Sequence, residues 1–291
     1  MDLSGFADEV GPSDEVTITG AASRGGPVAG IRVVRAPSGI DWLRGDEMTV
    51  CCGAGTLVAE LDEALAAVGQ CVAIPPSGTV GGALAVGRSG LRRLGYGPIR
   101  DTLLQARYVS AEGNVVKAGG PTVKNVSGFD LCRLLVGSFG TLGFIGEVIL
   151  RTRPRARYEQ WFATAADPVE TFRRLYRPTS VLWDGTTTWV LLEGHRDDVA
   201  RAATEADLVE AAGPPSLPTG GRWSIPPSAL RSLGGTFVAE LGVGVVHHAD
   251  PPPPAPVDEA VRELNRRIKH NFDPTHRLNP GVDVVALNAG S

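Results

Sequence analysis

Four glycine-rich segments follow one another along the 291-residue chain, each with residue types that let bare backbone approach a ligand. The first is Ile18-Thr19-Gly20-Ala21-Ala22-Ser23-Arg24-Gly25-Gly26. It puts small residues straight after a β-branched run, where successive amide N–H groups can converge on an anion. The second is Pro75-Pro76-Ser77-Gly78-Thr79-Val80-Gly81-Gly82-Ala83-Leu84-Ala85, followed by Gly90, Gly95-Tyr96-Gly97 and Ile99-Arg100-Asp101. The third is Lys124-Asn125-Val126-Ser127-Gly128-Phe129-Asp130-Leu131, and the fourth Gly137-Ser138-Phe139-Gly140-Thr141-Leu142-Gly143-Phe144-Ile145. No GxxxxGK[ST] occurs, and no GxGxxG joins a strand to a helix, so neither common phosphate-binding fingerprint applies. Dispersed close-approach loops predict instead a long ligand laid across one domain. Glycine is 37 of the 291 residues, about 13% against a usual share of about 7%, and such an excess serves close approach and positive φ.

Short β-branched runs must position these loops. Candidate strands are Val16-Thr17-Ile18, Ile31 to Val34, Thr49 to Cys52, Val72-Ala73-Ile74, Leu104 to Val109, Val115 to Lys117 and Phe144 to Leu150. One amphipathic helix lies among them, with Leu57, Val58, Leu61, Leu65 and Val68 on one face, Thr56 as N-cap and Gly69 past its end. Ala111-Glu112-Gly113-Asn114 predicts a hairpin.

After Arg151-Thr152-Arg153-Pro154-Arg155 glycine thins and helical periods take over, which sets a boundary between domains at 1–155 and 156–291. The second half reads as strand (Tyr158 to Thr164), helix (Pro168 to Tyr176), strands near Val181 and Trp189 to Glu193, and helix (Asp198 to Ala212). Strands from Phe237 to His247 and a helix from Val257 to Asn271 follow. That order predicts an α+β, ferredoxin-like layer: one antiparallel sheet with helices on one side.

Composition removes several function classes. The 28 Lys+Arg against 32 Asp+Glu give a net charge of −4, which disfavours nucleic-acid and anionic-membrane binding. No apolar run reaches membrane-span length, and the first residues are acidic where a secretory signal is basic, so a cytoplasmic protein is expected. Cys51, Cys52, Cys71 and Cys132 form no CxxC pair and read as reduced core residues.

Taken in order, GAAS, PPSGTVGGALA, GYGPIRD, KNVSGFDL and GSFGTLGFI resemble the FAD-binding domain of the vanillyl-alcohol oxidase and p-cresol methylhydroxylase (PCMH) superfamily, closest to the FAD-binding subunit of glycolate oxidase. The tail Phe272-Asp273-Pro274-Thr275-His276-Arg277-Leu278-Asn279-Pro280-Gly281 resembles the superfamily's DPxxxLNPG ending. The resemblance implies a two-part PCMH-type FAD domain, shortened at its N-terminus, followed by a smaller α+β cap. It implies that Gly20, Ala21, Ala22 and Ser23 hold the pyrophosphate through backbone amides. Pro76, Gly78, Thr79, Gly81, Gly82 and Ala85 would line the isoalloxazine and ribityl side. Gly140, Thr141, Gly143 and Ile145 would contact the dinucleotide further along. Asp101 and Lys124 are polar candidates at the same face, with a turn cap as the alternative for Asp101. Asn279 is placed near the ring edge by its motif, or is a turn residue before Pro280.

Departures from the pattern bear on the chemistry. The usual triple glycine is Gly20-Ala21-Ala22 here, and the second segment has no Cys, nor does a His stand at the position of covalently flavinylated relatives, so noncovalent FAD is implied. In 2-hydroxy-acid dehydrogenases of the superfamily, a stretch resembling HxGDGNxH supplies metal ligands and a base. Here it is Glu240-Leu241-Gly242-Val243-Gly244-Val245-Val246-His247, with only the last His kept, so no metal is expected. His247 is then the candidate base, or simply a strand end, with Arg222, Arg100 or Arg93 as carboxylate partners. Trp183, Trp189 and Trp223 are pocket walls or core. The implied activity is oxidation of a 2-hydroxy acid by FAD. The chain would act as a small dehydrogenase or as a subunit passing electrons to a flavoprotein or iron–sulfur partner, since it has no cysteine cluster of its own. A flavin reductase, a sugar-alcohol oxidase or a degenerate scaffold subunit on the same fold are the alternatives.

Overall fold

The computed structural model describes residues 1–121, 130–253 and 257–288. The chain divides into two compact units. The first comprises Met1–Gly90, Pro98–Arg155 and Val257–Asn288, and the second Leu91–Gly97 and the described residues from 156 to 253. The C-terminal helix and tail, expected in the second part, thus fold with the first.

The first unit begins with helix α1 (Ser4–Val10), then strands β1 (Val16–Ile18), β2 (Arg32–Val34), β3 (Ile40–Arg44) and β4 (Thr49–Gly53). Helix α2 (Val58–Ala66), β5 (Gln70–Cys71) and helix α3 (Val80–Val86) follow. Helix α4 (Arg93–Tyr96) lies in the second unit. The first unit resumes with β6 (Leu103–Val109), β7 (Val115–Gly119), α5 (Leu131–Leu135), β8 (Phe144–Arg151) and β9 (Arg153–Pro154). Its main sheet is antiparallel, in the order β3-β4-β8-β6-β7, while β1 and β2 form a separate parallel pair. One face of α2 supplies Val58, Leu61 and Leu65 to a core shared with Val50, Leu84, Val148 and Leu150. Burying such side chains contributes about 1.5–3 kcal/mol each.

Two local expectations are corrected here. Thr56 does not cap α2: its hydroxyl accepts from Gly39 N at 2.9 Å, and Leu57 stands at the cap position. The run Val72-Ala73-Ile74 is not a strand. The ladder is made by Gln70 and Cys71 against Arg153 and Pro154, and the apolar run, which leads into Pro75-Pro76, buries side chains instead. α3 escaped the sequence reading because Gly81 and Gly82 weaken its helical signal. It is held by Thr79, whose hydroxyl accepts from Gly82 N at 3.2 Å.

The second unit runs β10 (Tyr158–Thr164), α6 (Pro168–Arg174), β11 (Ser180–Trp183), β12 (Thr188–Gly194), α7 (Arg196–Glu205) and β13 (Val209–Ala211). This is the β-α-β-β-α-β order, with strands arranged β13-β10-β12-β11. β14 (Gly221–Ser224), β15 (Phe237–Glu240) and β16 (Val245–His248) extend the same antiparallel sheet beyond β11, in the order β15-β16-β14. The strands expected from Phe237 to His247 form a hairpin, reversed at Gly242 and Gly244, whose φ values are 73° and 78°. The helix expected to reach Ala212 stops at Glu205, and Asp207, at φ 53°, turns the chain into β13. α6 and α7 pack on one face through Phe172, Val199 and Ala203 against Phe162, Val181 and Val190.

Within the first unit, α8 (Glu259–Phe272) and α9 (Val284–Asn288) close the chain. Asp258 caps α8 by accepting from Ala260 N at 2.8 Å.

Candidate functional site

A cleft of about 270 Å³ opens in the first unit where three segments distant in sequence meet. Its walls include Gly20, Ala21, Ala22 and Ser23 from the loop after β1, and Thr79, Gly81, Gly82 and Ala85 from the start of α3. Gly140, Gly143 and Ile145 before and within β8, and Asn279 from the tail, complete the set. Of the other expected contacts, Pro76 is exposed and, with Gly78, lies outside the cleft wall. Thr141 is buried, donating to Ser138 O at 2.8 Å, and Asp101 is an exposed partner of Arg133 at 3.3 Å. Lys124 lies outside the described residues. Thr17, Ala36, Ala54, Gly55 and Phe139 also line the cleft and were not anticipated, because only the fold brings them to it.

The walls admit no side chains at their closest approaches. A Cβ on Gly20 would stand 2.5 Å from Thr79 Oγ1, and one on Gly81 would stand 2.8 Å from Ala54 Cβ. One on Gly140, itself at φ 71°, would stand 2.7 Å from Asn279 Nδ2. The amides of Gly20, Ala21 and Ala22 donate to no backbone carbonyl among the described residues. A loop of small residues with free amides, continuing into a narrow glycine-walled cleft, fits a pyrophosphate and the extended dinucleotide attached to it. Ala22 takes this loop through φ 52°, a left-handed conformation that costs an alanine about 1 kcal/mol. Beside the loop, Arg24 Nη2 donates to Ser77 Oγ at 3.1 Å and Pro75 O at 3.3 Å, joining the first and second segments.

Asn279 fastens the cleft. Its Oδ1 accepts from Ile18 N at 3.1 Å, its Nδ2 donates to Phe139 O at 2.6 Å, and its backbone N donates to Val16 O at 2.9 Å. It sits at φ 44°, a conformation asparagine tolerates better than most residues. The tail is anchored in turn by Asp273, a fully buried side chain whose carboxylate accepts from Leu278 N, Arg277 N and Lys269 Nζ at 2.8, 3.1 and 2.5 Å. Burial pushes the Asp273 carboxyl up. Lys269 and the two amides outweigh it and hold it below the usual carboxylate value of 3.8. Burial drives the Lys269 ammonium down from 10.5 despite Asp273. Arg277, 2% exposed, donates to Asp14 O, Ala111 O and Val10 O.

In the second unit, His247 Nε2 lies 2.9 Å from Glu240 Oε1, and Arg222 stands opposite His247 in the β14–β16 register. Arg100 is an exposed residue of the first unit and Arg93 lies in α4, so neither shares that sheet. Trp183 and Trp223 pack against Phe237, Ala239 and Val246, which makes them core. Trp189 pairs with Leu182 on the opposite face.

One group of three potential metal ligands occurs among the described residues: Asp41, Cys51 and Glu147. Arg107 and the Met1 amine already hold Glu147 at 3.3 and 2.8 Å, and burial pushes the Cys51 thiol up to about 12, so the carboxylate is engaged in ion pairs beside a neutral thiol.

Comparison with known proteins agrees with the cleft. Residues 12–119 match the family model described as FAD binding domain. The chain is 33% identical over 202 residues to glycolate oxidase subunit GlcE of Escherichia coli, an alignment covering 65% of this chain and 58% of that protein. It is 39% identical over 117 residues to D-lactate dehydrogenase of Archaeoglobus fulgidus, covering 38% and 26% respectively. The chain thus spans under two thirds of the length of these curated relatives. Among solved structures, an alkyldihydroxyacetonephosphate synthase superposes with TM-score 0.68 at 15% identity, covering 92% of this chain and 73% of the other. The grass pollen allergen Phl p 4, with glucose dehydrogenase activity, superposes with TM-score 0.56 at 15% identity, covering 70% and 47%. Residues 12–119 of this chain are thus similar to the FAD binding domain family, and the fold is that of the alkyldihydroxyacetonephosphate synthase.

Proposed function

We propose that the chain is an FAD-dependent oxidoreductase acting on a small 2-hydroxy acid, either as a subunit of a glycolate-oxidase-like assembly or as a small dehydrogenase. The observation that carries this reading is the meeting of Gly20–Ser23, Thr79–Ala85 and Gly140–Ile145 at one cleft, fastened by Asn279. The cleft walls contain no Cys or His among the described residues, which supports noncovalent FAD. Loop amides from Gly20 to Ala22 would hold the pyrophosphate, and the bare backbone of Gly81, Gly140 and Gly143 would line the dinucleotide. FAD, when bound, supplies the acceptor for the hydride that leaves C2 of the substrate. The second unit would act as the substrate-binding cap. There His247 would take the hydroxyl proton, and Arg222, opposite it in the β14–β16 register, is the candidate for the carboxylate. Glycolate oxidase and D-lactate dehydrogenase are the names of relatives, and both act on 2-hydroxy acids, which supports the substrate class.

The test is anaerobic mixing of the FAD-loaded protein with glycolate, D-lactate and D-2-hydroxyglutarate. Loss of the flavin absorbance with one of them supports the reading. Loss only with a reduced nicotinamide would instead make the protein a flavin reductase.

A further inference from the structure

In the β15–β16 hairpin, alternation divides the side chains between two faces. Phe237, Ala239 and Val246 join the core that also takes Trp183 and Trp223, on the face covered by α6 and α7. Val238, Glu240, Val245 and His247 point the other way. The Glu240 side chain is only 3% exposed, and its neighbour across β11 is Leu182. Desolvating a carboxylate in apolar company costs several kcal/mol unless it is paired. The hydrogen bond it makes is to His247 Nε2, at 2.9 Å. An isosteric leucine or methionine would serve packing better, so this pair exists at a cost the fold does not require.

The pairing has a definite chemical consequence. With the carboxylate ionised and the imidazole neutral, the carboxylate only accepts, so Nε2 carries the proton and Nδ1 the lone pair. No group hydrogen-bonds Nδ1 among the described residues. We propose that Glu240 is a positioning residue that fixes His247 in its Nε2–H tautomer, so that Nδ1 is the atom that accepts the substrate's hydroxyl proton. This rests on the oxidoreductase reading given above. As the O–H bond breaks, the proton moves to Nδ1 and its electron pair becomes the second C–O bond. FAD, when bound, would supply the acceptor for the hydride from C2, so that the product would be a 2-oxo acid. The resulting imidazolium is stabilised by the Glu240 carboxylate beside it. A carboxylate thus stands where the superfamily stretch has a histidine, and it gives the remaining histidine an orienting partner in place of a metal.

The test labels the 5 histidines with ¹⁵N and reads the His247 ring nitrogens by long-range ¹H–¹⁵N correlation, with His247→Asn for assignment. The wild-type protein, with or without FAD, is expected to show His247 as a single Nε2–H tautomer near neutral pH. Glu240→Leu removes the acceptor for Nε2–H and should abolish that signature. It should also lower kcat for the hydroxy acid by about 100-fold or more while leaving KM and FAD content unchanged. A wild-type His247 that is protonated on Nδ1, or exchanges between tautomers, overturns the proposal without needing any variant. So does a Glu240→Leu protein with unchanged tautomer and kcat. If the tautomer behaves as expected but no hydroxy acid reduces the flavin, the oxidoreductase reading fails and the proton-accepting role falls with it, while the Glu240–His247 pairing stands.

Discussion

Asn279 donates from Nδ2 to the Phe139 carbonyl at 2.6 Å, closing a distance of 140 residues in sequence. Phe139 is itself at φ 52°, an unfavourable conformation for a bulky residue, and its amide is held by Ala85 O at 2.8 Å. The tail therefore clamps the turn that precedes Gly140, while the same side chain holds Ile18 ahead of the anion loop. Asn279→Ala orphans a donor and an acceptor in one step. It is expected to lower unfolding stability by about 2 kcal/mol or more and to weaken FAD binding. Urea unfolding and FAD titration read the two effects, and an unchanged FAD affinity would detach Asn279 from the cleft.

Gly20 and Ala22 differ in what they ask of a side chain. Ala22→Gly relieves a left-handed alanine and should be neutral or stabilising by up to about 1 kcal/mol, the relief being offset by glycine's greater freedom when unfolded. Gly20→Ala sets a Cβ 2.5 Å from Thr79 Oγ1 and should raise the FAD dissociation constant. Thermal melts and FAD titration of both variants distinguish them. Equal behaviour would contradict the assigned loop geometry.

Asp273 and Lys269 give the first unit a pH signature with a defined sign. Because the folded carboxyl is held below its unfolded value, its stabilisation is fully present above about 3.8 and is lost as pH falls through the lower folded value. Lys269 acts oppositely: its depressed ammonium penalises the folded state near neutrality, and the penalty is relieved as pH rises toward 10.5. Asp273→Asn should lower the urea midpoint near neutral pH and should lose least against the wild type in acid. A constant difference across the acid range would refute the assigned shift.

All four cysteines are buried and free. Burial pushes the thiols of Cys51 and Cys52 up to about 12 and that of Cys132 to about 11, the neighbouring Glu147 adding to the shift at both Cys51 and Cys52. Thiolate is the reactive form, so a disulfide reagent near neutral pH should label these three only as fast as the chain unfolds. Rapid labelling of the native protein would show an opening that the fold does not contain.

The sequence was most legible where periodicity and local chemistry agreed. Val16–Ile18 and Tyr158–Thr164 are strands at the stated residues, and Gly113, at φ 78°, turns the expected hairpin between Val109 and Val115. The cleft was legible because glycine and small residues mark close approach before any fold is known. What stayed hidden depended on long-range contacts. Ile40–Arg44 lacks a strand-like apolar pattern yet becomes a strand by pairing with Thr49–Cys52. The return of Glu259–Phe272 to the first unit is set by Lys269, which reaches Thr141 O at 2.8 Å and Leu278 O at 3.0 Å. The contact between Glu240 and His247 was equally invisible, because it arises across the β15–β16 hairpin.

The most direct measurement is uptake of FAD by the purified chain, followed by absorbance, with denaturation and chromatography of whatever is released. The cleft requires a yellow protein that releases unmodified FAD in near-equal amount to the chain, and a Gly81→Ala variant that binds it far more weakly, since the new Cβ would meet Ala54 at 2.8 Å. A folded but colourless chain that takes up no FAD would contradict the account.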